Sequence, residues 1–132
     1  MLTLICGVGR VGKTTYSQRF ENVIHLDGMG HKPHRFTRVI NALNKGDVVV
    51  EGIYENANRR TELLNAYKGC GRRCIWLDTP ESIVKDRMEI IGVPLTVKHF
   101  HFEPPTFDEG WDEIIIIRGE HDVQSYRNEK QT

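Results

Sequence analysis

Three glycines, a lysine and two threonines near the start of the chain have the types and spacing to handle phosphate. They lie in Gly7-Val8-Gly9-Arg10-Val11-Gly12-Lys13-Thr14-Thr15, whose first eight residues fit G-x-x-x-x-G-K-[ST]. Glycines at 7, 9 and 12 keep side chains away, so backbone N–H groups can converge on anionic oxygens at the start of a helix. Lys13 offers a mobile point charge for β- and γ-phosphates, and the Thr14 hydroxyl suits Mg²⁺. A mainly apolar stretch, Leu2 to Cys6, predicts a strand leading into the loop, and a helix can follow from about Lys13 to Phe20. A chance glycine turn would match the pattern in roughly one random chain in a few hundred. The strand–loop–helix setting lowers that further. Residues Gly7 to Thr15 are therefore expected to bind ATP, or another nucleoside triphosphate, with Mg²⁺.

The elements that must position this loop read as short apolar runs alternating with helical patterns. Val23-Ile24-His25-Leu26 predicts a second strand, closing at Asp27-Gly28. Pro33 is placed for a helix start. Phe36, Val39, Ile40 and Leu43 follow the i, i+3, i+4, i+7 rule for one buried face, with Lys45-Gly46 as the C-terminal stop. Arg35, Arg38 and Lys45 fall roughly in line on another face. Asp47 to Val50 predicts a third strand ending at Glu51-Gly52. Asn58 then reads as the cap of a helix through about Lys68, with Leu63, Leu64 and Tyr67 inward and Gly69 as terminator.

Cys74 to Leu77 predicts strand four, followed by a helix opened by Thr79-Pro80 with Ile83, Val84, Met88 and Ile91 on its apolar side. Residues 92–110 read mainly as loop. Ile114 to Ile117 predicts strand five, and the tail after Gly119 reads as polar and loose. This alternation predicts an α/β fold, a mostly parallel five-stranded sheet covered on both faces. Ligands of such sheets bind beyond the carboxyl ends of the strands. Asp27, Glu51 and Asp78 all fall at those ends, beside the phosphate loop.

At 132 residues with 39% hydrophobic content, the chain is expected to fold as a single domain, 1–132. Its net charge of zero hides an asymmetry. Residues 1–100 carry 15 Lys/Arg against 10 Asp/Glu, and residues 101–132 carry 3 against 8. A basic body suits phosphate ligands, though the excess is too small to imply nucleic-acid binding by itself. No apolar run reaches the length of a membrane span and no targeting segment is evident, so the cytoplasm is the expected compartment. Cys6, Cys70 and Cys74 are odd in number and do not suggest a disulfide framework. His31/His34 and His99/His101 lack a carboxylate frame for a metal centre.

A phosphate loop alone does not separate kinases from GTPases or ATPases. No Asn/Thr-Lys-x-Asp guanine reader follows strand four or five, and a motor-type ATPase needs a longer chain. The chain resembles the polynucleotide 5′-kinase branch of the small P-loop kinases, over most of residues 2–118. Four places carry the resemblance. They are the phosphate loop, Leu26-Asp27 after strand two, and Val48-Val49-Val50-Glu51 running on to Asn58-Arg59-Arg60. The fourth is Phe102-Glu103-Pro104-Pro105-Thr106 followed by Glu109-Gly110-Trp111-Asp112-Glu113-Ile114. This last segment is similar to the family's F-E-x-P…E-G-[FW]-x-E-I signature.

The resemblance implies a three-layer α/β/α P-loop NTPase fold with strand order 2-3-1-4-5 and a lid at about 85–112. It implies in-line transfer of the γ-phosphate of ATP to a hydroxyl, with a polynucleotide 5′-OH as acceptor and a single-stranded 5′ end as partner. Lys13 and the loop amides would hold the phosphates and Thr14 the metal. Asp27 would take the hydroxyl proton and Arg87 would neutralise charge on the transferred group. Glu51 would order a metal-bound water, and Arg35 and Arg38 would meet the acceptor's phosphates. The family's lid carries more arginines, whereas Arg87 stands alone between Arg73 and Arg118. Two other readings therefore stay open, a kinase for a nucleotide or nucleoside and a nucleotide-binding regulator without transfer.

Overall fold

Strand β1 (Leu2–Cys6) is buried along its whole length, as its near-continuous apolar sequence requires of a central parallel strand. It pairs in parallel with β3 (Val48–Glu51) on one side and β4 (Arg72–Leu77) on the other. Strand β2 (Val23–His25) lies outside β3, and β5 (Glu113–Gly119) outside β4, both parallel. The computed structural model describes residues 1–7, 13–26, 36–67, 71–80, 82–83, 86, 89–90, 102–119 and 121–128.

In place of the expected five strands the sheet has six, in the order β2-β3-β1-β4-β5-β6. The added strand β6 (Asp122–Arg127) comes from the tail expected to be loose and runs antiparallel to β5. It is exposed throughout, with Val123 and Tyr126 its only large apolar residues, so no hydrophobic alternation announces it.

The two faces of the sheet carry separate apolar clusters. Leu2, Leu4, Cys6, Val48, Val50, Cys74 and Trp76 face α2 (Thr37–Leu43), α3 (Ala57–Ala66) and Trp111. Ile5, Val49, Ile75 and Leu77 form the other cluster, with Tyr16 of α1 (Lys13–Ser17) and Phe20 packed against it. Each fully buried Leu, Ile or Val contributes about 1.5–3 kcal/mol relative to exposure. Cys6 and Cys74 are buried free thiols with Sγ atoms 3.7 Å apart. Burial, together with the neighbouring Cys6 thiol, pushes the Cys74 thiol well above its ordinary value.

The helices are shorter than the sequence pattern suggests. Helix α1 ends at Ser17 and gives way to turns. In α2, Val39 is buried and Phe36 and Leu43 are partly covered, but Ile40 is 42% exposed because it sits at the margin of the apolar stripe. Helix α3 is capped by Asn56, not Asn58: the Asn56 side chain accepts from Arg59 N at 2.9 Å, with Asn56 in extended backbone. It ends at Ala66, and the expected Lys68-Gly69 stop lies outside the described residues. After Pro80, residues 82, 83, 86, 89 and 90 are helical. Ile83, expected inward, is exposed. No described helix is long and apolar enough to cross a membrane.

Candidate nucleotide site

The carboxyl edge of the sheet brings β1, β3 and β2 to one line. Ile5 sits opposite Glu51, and Glu51 opposite His25, in the parallel register. The edge is laced by backbone bonds from Gly52 N to Ile5 O at 3.1 Å, Leu26 N to Glu51 O at 3.0 Å and Gly7 N to Ile53 O at 3.2 Å. Gly7 leaves β1 at φ 153°, a conformation other residues rarely adopt. The chain re-enters the described structure at Lys13, the first residue of α1, whose side chain is buried. Ser17, one turn further, is buried too, whereas Thr15 is exposed.

Glu51 is a buried carboxylate at the strand end, and its Oε2 meets Nδ1 of the half-exposed His25 at 2.5 Å. The sequence reading missed this partner. The signal was present, because parallel pairing of the runs ending at 25 and 51 puts the two residues side by side. Asp78, the third strand-end acid, is engaged elsewhere: its Oδ2 accepts from Arg118 Nε at 3.0 Å.

Gly7 and Glu51 thus share this edge, and Lys13 opens the next described helix. Of the remaining loop positions, Val8, Gly9, Arg10, Val11 and Gly12 lie outside the described residues, as do Asp27, Arg35, Arg87 and the side chain of Thr14. Arg38 is not at this edge. It lines a cleft with Met1, Val48 and Arg73, at the opposite, amino ends of the strands.

The segment Phe102 to Trp111 is a clip around α3. Arg60 is fully buried, and its guanidinium makes a two-pronged pair with Glu109, Nε to Oε1 at 2.7 Å and Nη2 to Oε2 at 3.0 Å. The remaining Arg60 bonds reach the carbonyls of Tyr54 at 2.8 Å and Pro104 at 3.3 Å. Glu109 also accepts from Trp111 Nε1 at 3.1 Å and Thr106 N at 3.1 Å. Phe102 stacks on Trp76 with centroids 5.4 Å apart, under the Arg60 guanidinium. Glu103 reaches across to accept from Ala57 N at 3.1 Å, at the start of α3.

Burial alone raises the Glu109 carboxyl, but the hydrogen bonds from Arg60 and Trp111, the Arg60 charge and the Thr106 N–H leave it below its ordinary value. Burial likewise opposes the Arg60 charge, and Glu109 more than restores it, so the guanidinium holds its proton above the ordinary value. The acidic and aromatic residues of this segment therefore anchor α3 to β4 and β5. Arg59, the adjacent arginine, makes a half-exposed pair with Glu55 at 3.1 Å.

No family model and no curated protein matches the sequence. Among solved structures, the fold is similar to that of a chain from the PezAT chromosomal toxin–antitoxin system of the human pathogen Streptococcus pneumoniae. The TM-score is 0.53 at 15% identity, and the likeness covers 100% of this chain and 72% of that one. At such identity the likeness bears on the fold alone.

Proposed function

We propose that this chain is an ATP-dependent phosphotransferase of P-loop kinase type, moving the γ-phosphate to a hydroxyl, with a polynucleotide 5′-OH as acceptor. One observation carries the reading. A central parallel strand ends at Gly7, the next described element is a helix that begins with Lys13, and the buried Glu51 of the neighbouring strand stands at the edge where Gly7 leaves the sheet. Phosphate loops work in this strand–loop–helix setting, at the carboxyl end of the sheet.

Among the described residues no group of three or more His, Cys, Asp or Glu gathers to hold a metal. Thr14, with Glu51 acting through a water, would hold Mg²⁺, an ion that usually keeps several waters and is bound with substrate phosphates. When bound, Mg²⁺ would neutralise charge on the polyphosphate. Lys13 and the loop amides fix the polyphosphate. Glu51, steadied by His25 Nδ1, holds its carboxylate ready to accept from a water. The family resemblance assigns Asp27 to take the proton of the attacking hydroxyl and Arg87 to meet the charge on the transferred group.

Incubation with γ-labelled ATP and a panel of 5′-OH DNA, 5′-OH RNA and mononucleotides tests the reading. Label on oligonucleotide ends is expected, and Asp27→Asn should retain ATP binding while losing roughly 10²–10⁴-fold in transfer. Label confined to mononucleotides would move the acceptor assignment, and no transfer to any hydroxyl would overturn the enzyme.

A further inference from the structure

Opposite the candidate nucleotide site, the amino ends of the strands frame an open cleft of about 900 Å³. It reaches around the edge of the sheet. Arg19 and Phe20, just beyond α1, form one wall; Arg38, Ala42 and Lys45, on and after α2, form the other. Arg73 sits at the floor, where its Nε donates to Thr3 Oγ1 at 3.3 Å and its guanidinium lies 5.9 Å from the Phe20 ring centroid. The side-chain charges lining the cleft are Arg19, Arg38, Lys45 and Arg73 against Glu21 and Asp47. Asp47 is already engaged by the Met1 amine at 2.8 Å. Among the described residues, the Arg38 and Lys45 side chains have no hydrogen-bond or ion-pair partner, and both residues are exposed. A protein of zero net charge thus gathers, among its described residues, a surplus of cations around one concavity, two of them with no side-chain partner there.

We propose that this amino-edge cleft binds the backbone of a single-stranded nucleic acid, at a site separate from the phosphate loop. Three of the four cations are arginines, whose planar forks match phosphate oxygens and stack on bases. Apolar surface from Phe20, Val23 and Ala42 is interleaved with them, the mixture of cationic track and base-contacting wall that single-strand binders use. The volume is near the upper end of small-molecule sites, far more than one inorganic phosphate would fill. An acidic peptide could satisfy the charges but gains less than a base does from the part of the Phe20 ring that lines the cleft. The cleft does not rest on the transferase reading. It would bind a strand whose end is already phosphorylated as well as one whose end is free.

Fluorescence anisotropy with a 3′-labelled, 5′-phosphorylated single-stranded oligothymidylate, without ATP, tests this. The full chain is expected to bind with affinity that falls steeply as salt is added. The triple charge reversal Arg19→Glu, Arg38→Glu, Lys45→Glu should weaken binding at least tenfold. The neutral pair Arg38→Gln, Lys45→Gln, at exposed positions that leave the core untouched, should lower the log–log salt slope by about 1.4, since each single-strand phosphate contact contributes about 0.7. Calorimetric ATP binding by these variants should match the parent, and Lys13→Ala should bind the oligonucleotide as the parent does. Absence of oligonucleotide binding, unchanged binding by the neutral pair, or loss of binding in Lys13→Ala would each overturn the proposal. Equal affinity for poly-glutamate of matched charge would overturn the nucleic-acid assignment.

Discussion

Glu109→Ala should be among the most damaging single substitutions outside the phosphate loop. It strips the fully buried Arg60 of two charged hydrogen bonds, at 2.7 and 3.0 Å, leaving only the carbonyls of Tyr54 and Pro104. It also removes the acceptor of Trp111 Nε1 and of Thr106 N. Removing one partner of a buried pair costs about 3–5 kcal/mol, because the other charge stays buried and uncompensated. That is a large part of the roughly 5–15 kcal/mol by which domains are stable.

For a chain of this size each kcal/mol moves the melting point by roughly 3–5 °C, so a drop of roughly 9–25 °C is expected in a thermal melt followed by circular dichroism. Glu55→Gln, which breaks only the half-exposed pair with Arg59, is the control and should cost under about 1 kcal/mol. Replacing both members, Arg60→Leu with Glu109→Leu, should cost clearly less than the two single changes added together, since neither charge is then stranded. A cost below about 1 kcal/mol for Glu109→Ala, or simple additivity in the cycle, would refute the clip.

The same carboxylate sets a pH dependence. Its folded value is depressed, so its stabilisation is complete above the unfolded glutamate value of about 4.3 and is lost as pH falls through the lower folded value. Urea midpoints should therefore decline below about pH 4, and a flat profile between pH 6 and 3 would contradict this. Asn56→Ala should cost about 0.5–2 kcal/mol through loss of the α3 cap, whereas Asn58→Ala should change the urea midpoint far less. Gly110→Ala should destabilise by about 1–3 kcal/mol, measured the same way, because φ is 117° and an added Cβ would stand 3.0 Å from Arg72 Nη1.

Much of the sheet was legible because its inner strands are short, apolar and bounded by Gly, Pro and Asp. Val48 to Val50 and Cys74 to Leu77 have no other plausible packing than a two-sided core. Strand β6 was not legible, since a strand exposed on both faces leaves no pattern of burial in its sequence. The cap of α3 was misplaced by two residues because Asn56 and Asn58 are equally good cap types, and only the backbone turn distinguishes them.

At the site, the glycines and lysine were readable from local spacing alone. The His25–Glu51 contact needed the strand register, a non-local fact. The Phe102–Trp111 segment was visible as a motif, but its physical work was not. Only the fold brings Glu109 to Arg60, 49 positions away in sequence. The family resemblance assigned Arg38 to the acceptor, and neither it nor helical phase says which end of the sheet that helix face overlooks.

Isothermal calorimetry of the full chain with ATP and Mg²⁺, run beside Lys13→Ala, tests the central claim most directly. The account predicts saturable binding by the parent chain and its loss in Lys13→Ala, with both proteins melting cooperatively. No uptake of ATP or GTP by the parent, or undiminished uptake by Lys13→Ala, would contradict it.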